Sequence, residues 1–120
     1  MSPHEHPEIL IVVQKISRGE LKKFAEARFG DMVKAVVDIE KRLMAVGGEM
    51  HADEEAFLME RGSEQRNLWG INLYPDVLTE EWLEFDSMIN VRPRHGNRSR
   101  GIDEVALREV IRKIVNDLAS

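Results

Sequence analysis

A chain of 120 residues with 42% hydrophobic and 32% charged content can bury one core and is too apolar to stay disordered. It has no cysteine, which excludes a disulfide framework, thiolate metal sites and a cysteine nucleophile. The longest continuous apolar run, Ile9–Val13, is far short of a signal-peptide core or a membrane span, so a cytoplasmic location is expected.

Residues 1–8, with Pro3 and Pro7, read as a loose start, and 9–120 as one domain. His4-Glu5-His6 offers only two imidazoles on a free terminus, a poor metal site. Ile9–Val13 predicts a buried strand. Ser17-Arg18-Gly19-Glu20 matches a capping box, so a helix should begin there. Phe24, Ala25, Met32, Val33, Val36, Val37, Leu43 and Met44 fall at three-and-four spacing. They predict a helix within Ser17–Val46, kinked or divided at Gly30-Asp31 and stopped by Gly47-Gly48.

Three strand-like runs follow. Ala56–Met59 lies within Glu49–Glu60 and is turned by Arg61-Gly62-Ser63. Leu68–Tyr74 is stopped by Pro75-Asp76, and Phe85–Val91 by Pro93. Between the last two, Leu78–Leu83 predicts a short turn of helix with Thr79 as cap and Trp82 packing inward. Asp103 then caps a final helix whose stripe is Leu107, Val110, Ile111, Ile114, Val115 and Leu118. Strand, helix, three strands and helix make an α+β domain, a mostly antiparallel sheet with helices on one face.

Alternation says what stands on the open face of such a sheet. Trp69, Ile71 and Leu73 share one face, Asn72 and Tyr74 the other; Ile89 and Val91 oppose Asn90 and Arg92. If Glu49–Glu55 is extended, His51, Asp53 and Glu55 line one side, and a polar cluster of His51, Asp53, Asn72, Asn90 and Arg92 forms.

The net charge of −5 divides unevenly. Residues 1–48 carry eight Lys/Arg against seven Asp/Glu (+1), 49–86 two against eleven (−9), and 87–120 seven against four (+3). Most of the basic excess sits in Met88–Asp103, MINVRPRHGNRSRGID. There Arg92, Arg94, Arg98 and Arg100, with His95 and Asn97, present planar forks of donors beside the turn-forming Gly96 and Gly101. With Asn72 and Asn90, these residues point to a binding or interaction module without a cofactor, recognising a phosphate-bearing ligand or an acidic protein partner. Asp103 argues against an anion directly on the last helix, because a carboxylate already stands at its cap. The plainer reading is that the acidic and basic segments neutralise each other within the fold or across a homodimer.

The alternative is a divalent-metal-dependent phosphate-ester hydrolase, with His51, Asp53 and Glu54 or Glu55 as ligands and the arginines holding the phosphate. Against it, one His-x-Asp pair is common, and a histidine satisfied by Asp53 or by backbone explains His51 as well. No P-loop, dinucleotide fingerprint or serine elbow is present. Nucleic acid is disfavoured, since Trp69, Tyr74 and Trp82 are the only large stacking residues near the loop and read as core.

Three stretches, GGEMHADEEAFLMERGS, QRNLWGINLYPD and EFDSMINVRPRHGNRS, carry a resemblance. The chain, from about Ile9 onward, resembles a small family of uncharacterised prokaryotic proteins, a domain of unknown function. That resemblance implies no activity, ligand or partner; His51-Ala52-Asp53, Leu68-Trp69-Gly70 and Asn90-Val91-Arg92-Pro93 match its pattern without a role attached. The element order is also similar to the helix, three-strand, helix plan of double-stranded RNA-binding domains. Asp103-Glu104 stand where those place a lysine-rich patch, so an RNA role is not expected.

Overall fold

In the computed structural model, residues 7–119 are described; the His4-Glu5-His6 run and most of the expected loose start lie outside them. Strand β1 (Leu10–Val12) is the short apolar run, and it stands at one edge of the sheet. Helix α1 (Arg18–Arg28) begins as its capping box requires: Ser17 Oγ accepts from the Glu20 amide at 3.0 Å, and the Ser17 amide donates to the Glu20 carboxylate at 3.3 Å.

The helical periodicity beyond Gly30 is misleading. Instead of a helix to Val46, the chain forms a hairpin of β2 (Val33–Asp38) and β3 (Leu43–Val46). β-Branched Val33, Val36 and Val37 favour the pleated backbone. A central strand buried on both faces reads as a continuous apolar run, which helical spacing fits as well as alternation does. The turn is built by Asp38, whose Oδ1 accepts from the amides of Glu40 and Lys41 at 2.9 Å each. Its Oδ2 takes the Ser63 hydroxyl at 2.6 Å.

Residues 51–60, expected to be extended, form helix α2 (His51–Glu60). Glu, Ala, Leu and Met are good helix formers, and Asp53 and Glu54 in the first turn complement the helix dipole. Arg61-Gly62-Ser63 is a helix stop: Gly62 adopts φ +99°, and the Ser63 and Gly62 amides donate to the carbonyls of Leu58 and Met59.

Strand β4 (Leu68–Leu73) is where the sequence puts it, and β5 (Leu83–Glu84) follows a 3-10 turn over Glu80–Trp82 that buries Trp82. The third expected strand, Phe85–Val91, is not a strand: it runs irregularly into a 3-10 turn, Met88–Asn90. Its place along β4 is taken by one side chain. Asn90 Nδ2 donates to Gly70 O at 2.9 Å, and its Oδ1 accepts from Gly70 N at 2.8 Å. A Cβ on Gly70 would lie 2.5 Å from Ser87 Cβ, so the contact needs glycine there. Helix α3 (Val105–Leu118) buries Ile111, Ile114, Val115 and Leu118 of the expected stripe, while Leu107 is half-buried and Val110 is exposed. Asp103 does not cap it; its carboxylate turns back into the loop and accepts from Arg98 N at 2.8 Å and Ser99 Oγ at 2.5 Å.

The sheet runs β1-β3-β2-β4-β5, antiparallel throughout, with Val33 opposite Leu73 and Asp38 opposite Leu68. α1 and α3 share one face, packing Leu21, Ala25, Ile111 and Ile114 on Ala35, Val37, Met44, Trp69 and Ile71. Each such large apolar side chain contributes about 1.5–3 kcal/mol. The second face is not open: α2 lays Phe57 and Leu58 on Val36, Ala45 and Leu68. This is the expected α+β fold with an antiparallel sheet, with the third helix covering the other side. Among the described residues no helix is long and apolar enough to cross a membrane.

Candidate functional site

α2 covers only part of the second face. Between its first turn and the Ser87–Ile89 turn lies a cavity of about 470 Å³. Lys34 and Asn72 rise into it from β2 and β4; His51, Glu84, Asp86 and Arg100 close its sides, and Met32, Met50 and Met88 line its mouth.

Because α2 is helical, His51, Glu54 and Leu58 fall on its buried face while Ala52 turns to solvent. His51 Nε2 lies 2.8 Å from the carbonyl oxygen of Ile71, which can only accept, so Nε2 carries the proton. Burial lowers the His51 pKa; Lys34 adds to that, while the Ile71 carbonyl, the Asn72 side chain and Asp86 oppose it. The ring is therefore neutral at pH 7, with its lone pair on Nδ1. Glu54 accepts from Gly48 N at 3.0 Å, and its Oε1 is buried without a hydrogen-bond partner. Burial pushes its carboxyl well above the usual range, against the Gly48 hydrogen bond, and so favours its neutral form.

Asn72 Nδ2 donates to Glu84 Oε1 at 2.9 Å and to Asp86 O at 3.3 Å, leaving its buried Oδ1 without a hydrogen-bond partner. Tyr74 Oη also donates to Glu84, at 3.2 Å. Burial and the Glu84 charge raise the Tyr74 pKa, so the phenol stays protonated. Arg100 Nε donates to Asp86 at 2.7 Å. Lys34 sits 5.2 Å from the Phe29 ring and has no carboxylate partner among the described residues.

The arginine loop splits into two sets. Arg92 is internal: its guanidinium donates to the carbonyls of Leu68 and, at 3.0 Å, Ile89, lies 4.6 Å over the Trp69 ring and stands 3.5 Å from Glu55. Burial lowers the Arg92 pKa and raises that of Glu55, and each charge works against the shift of the other. Asn97 holds the loop together, donating to the carbonyls of Asn90 and Gly101 at 2.8 Å and accepting from Asp103 N at 2.8 Å. Asn90, Arg92 and Asn97 thus build the fold. Arg94, His95 and Arg98 are exposed with no side-chain partner among the described residues. The pairs Arg100–Asp86 and Arg92–Glu55 join the basic segment to the acidic one, so part of the charge is neutralised internally.

His51, Asp53 and Glu55 do not share a strand face. His51 and Glu55 are a helical turn apart, and His51 Nε2 is committed to backbone. Among the described residues, no three His, Asp or Glu side chains gather where they could hold a metal ion. Trp69 and Trp82 are core, each stacked beneath an arginine, Arg92 and Arg18 respectively. Sequence reasoning misses Lys34, Tyr74, Glu84, Asp86 and Ser87 as cavity residues. Lys34 carries a signal, as the one charged residue inside VKAVV, but helical spacing there hides the face it belongs to.

No curated protein and no solved structure matches the chain. A family model described as "Protein of unknown function (DUF5674)" matches residues 10–118, from β1 to the end of α3. The chain belongs to this family.

Proposed function

We propose that the protein is a binding module whose ligand site is the cavity beside His51, and that it takes a small zwitterion of amino-acid size. One observation carries this reading: two opposite charges without ionic partners among the described residues, Lys34 and Glu84, line the same cavity. Its volume of about 470 Å³ suits a small molecule. Lys34 meets the ligand carboxylate, Glu84 the ammonium, and the methionines its apolar part. The hydroxyls that could attack a substrate are engaged in the fold: Ser87 Oγ accepts from Ile89 N, and Tyr74 donates to Glu84. Binding rather than catalysis is the better-supported role.

The test is a set of amide chemical-shift titrations with L-leucine, L-glutamate and inorganic phosphate in separate series. Saturable shifts at Lys34, His51 and Asn72 with the amino acids are expected, and Lys34→Met should weaken them at least tenfold. A response to phosphate alone favours a phosphate-bearing ligand instead. No saturable response in any series removes the cavity as a site.

A further inference from the structure

Beyond one end of β4 the chain presents Leu78 almost naked, 92% exposed, at the tip of an acidic loop with Val77, Glu80 and Glu81 beside it. This loop is held in shape. Arg18 donates to the carbonyls of Val77 and Pro75 at 3.0 and 3.4 Å while stacking 3.7 Å over Trp82. An apolar knob on a pre-shaped loop loses little conformational freedom when it is buried by a partner.

Beyond the other end of β4 lies the counterpart. A shallow depression of about 450 Å³ is floored by Met88, Ile89, Val91 and Pro93 and rimmed by Arg94 and His95. Met88 is 64% exposed, and methionine adapts its shape to what it covers. The acidic Glu55 in its wall is paired with Arg92. A six-residue strand spans roughly 20 Å, so the acidic loop cannot fold back into the depression of its own chain.

We propose that the loop around Leu78 docks in the Met88–Arg94 depression of a second copy of this chain, and that the reciprocal contact closes a two-fold dimer. Each copy carries one acidic knob and one basic socket, so a two-fold arrangement satisfies both pairs at once. The inference uses neither Lys34 nor Glu84, although Met88 and Ile89 border both the depression and the cavity. The contact is small, which makes the dimer weak and salt-sensitive.

Sedimentation equilibrium of the full chain over a concentration series tests it, with circular dichroism confirming that each variant is folded. The wild type should associate reversibly, less so as salt rises. Leu78→Ser should weaken association at least tenfold, and since Leu78 touches little of its own fold, loss of structure is no competing explanation. Glu80→Lys with Glu81→Lys should be monomeric, as should Arg94→Glu with His95→Glu. Mixed in equal amounts, the two charge-reversed chains restore complementary contacts and should form a heterodimer. A wild type that stays monomeric to its solubility limit overturns the proposal. So does a dimer indifferent to Leu78→Ser, or a mixture that remains monomeric.

Discussion

At the scale of single residues, identical side chains serve opposite purposes. Arg92 and Arg94 are two positions apart, yet one is largely buried against Leu68, Ile89, Trp69 and Glu55 while the other is exposed. Arg92→Ala should cost about 3–5 kcal/mol in urea unfolding, because it strands Glu55 in a site where it is already poorly solvated. Arg94→Ala and Arg98→Ala should each stay within about 0.5 kcal/mol when the protein is dilute. Nothing in the spacing of the four arginines distinguishes them. Composition reveals a basic loop, but only its tertiary placement against Leu68, Trp69 and Glu55 decides which guanidinium turns inward. Glu54 gives the second residue-scale prediction. Its folded pKa is raised above 4.5, so the folded chain holds a proton that the unfolded chain releases. The stability it contributes is fully present below pH 4.5. It declines as the pH rises toward the folded value, by about 1.4 kcal/mol for each pH unit crossed. Glu54→Gln keeps an acceptor for Gly48 N and removes this titration. It should raise stability at neutral pH and flatten the decline, as denaturation at several pH values would show.

At the scale of elements, one short segment explains much of the distance between sequence and structure. AFLM between charged residues fits a strand by its apolar run, yet its flanking glutamates and the glycine after Arg61 specify a helix and its stop. Gly62→Ala should therefore destabilise by about 1–2 kcal/mol, since an alanine is strained at φ +99°. In α1 the same change has the opposite sign. Gly19 lies inside the helix with room for a Cβ, 3.8 Å from Ser17 Oγ, and Gly19→Ala should stabilise by about 0.5–1 kcal/mol. Comparing the two melting curves checks both. β4, α1 to its last turn, Trp82 and α3 are legible because each has one dominant signal: a short apolar run stopped at Pro75-Asp76, a capping box or a long amphipathic stripe. The β2–β3 hairpin is not, because burial on both faces erases the alternation that would identify it. The cavity is hidden for the same reason, since Lys34 reaches the same face as Asn72 only when residues 33–38 are a strand.

At the scale of the whole molecule, the charge map and the sheet must be read together. The −9 and +3 segments meet through Arg92–Glu55 and Arg100–Asp86, which leaves Arg94, His95 and Arg98 on one flank and Glu80 and Glu81 on another. The sequence carries this asymmetry in plain view, but the two flanks are separated only once β4 stands between them. That strand has a further consequence through the Asn90 amide that seals its edge at Gly70. Amides paired between strands elsewhere in the sheet exchange with solvent only when those strands separate. The Gly70 amide is guarded by a side chain, so a brief lift of residues 87–101 releases it without parting two strands. Its exchange rate becomes a clock for that segment's excursions, running independently of global unfolding.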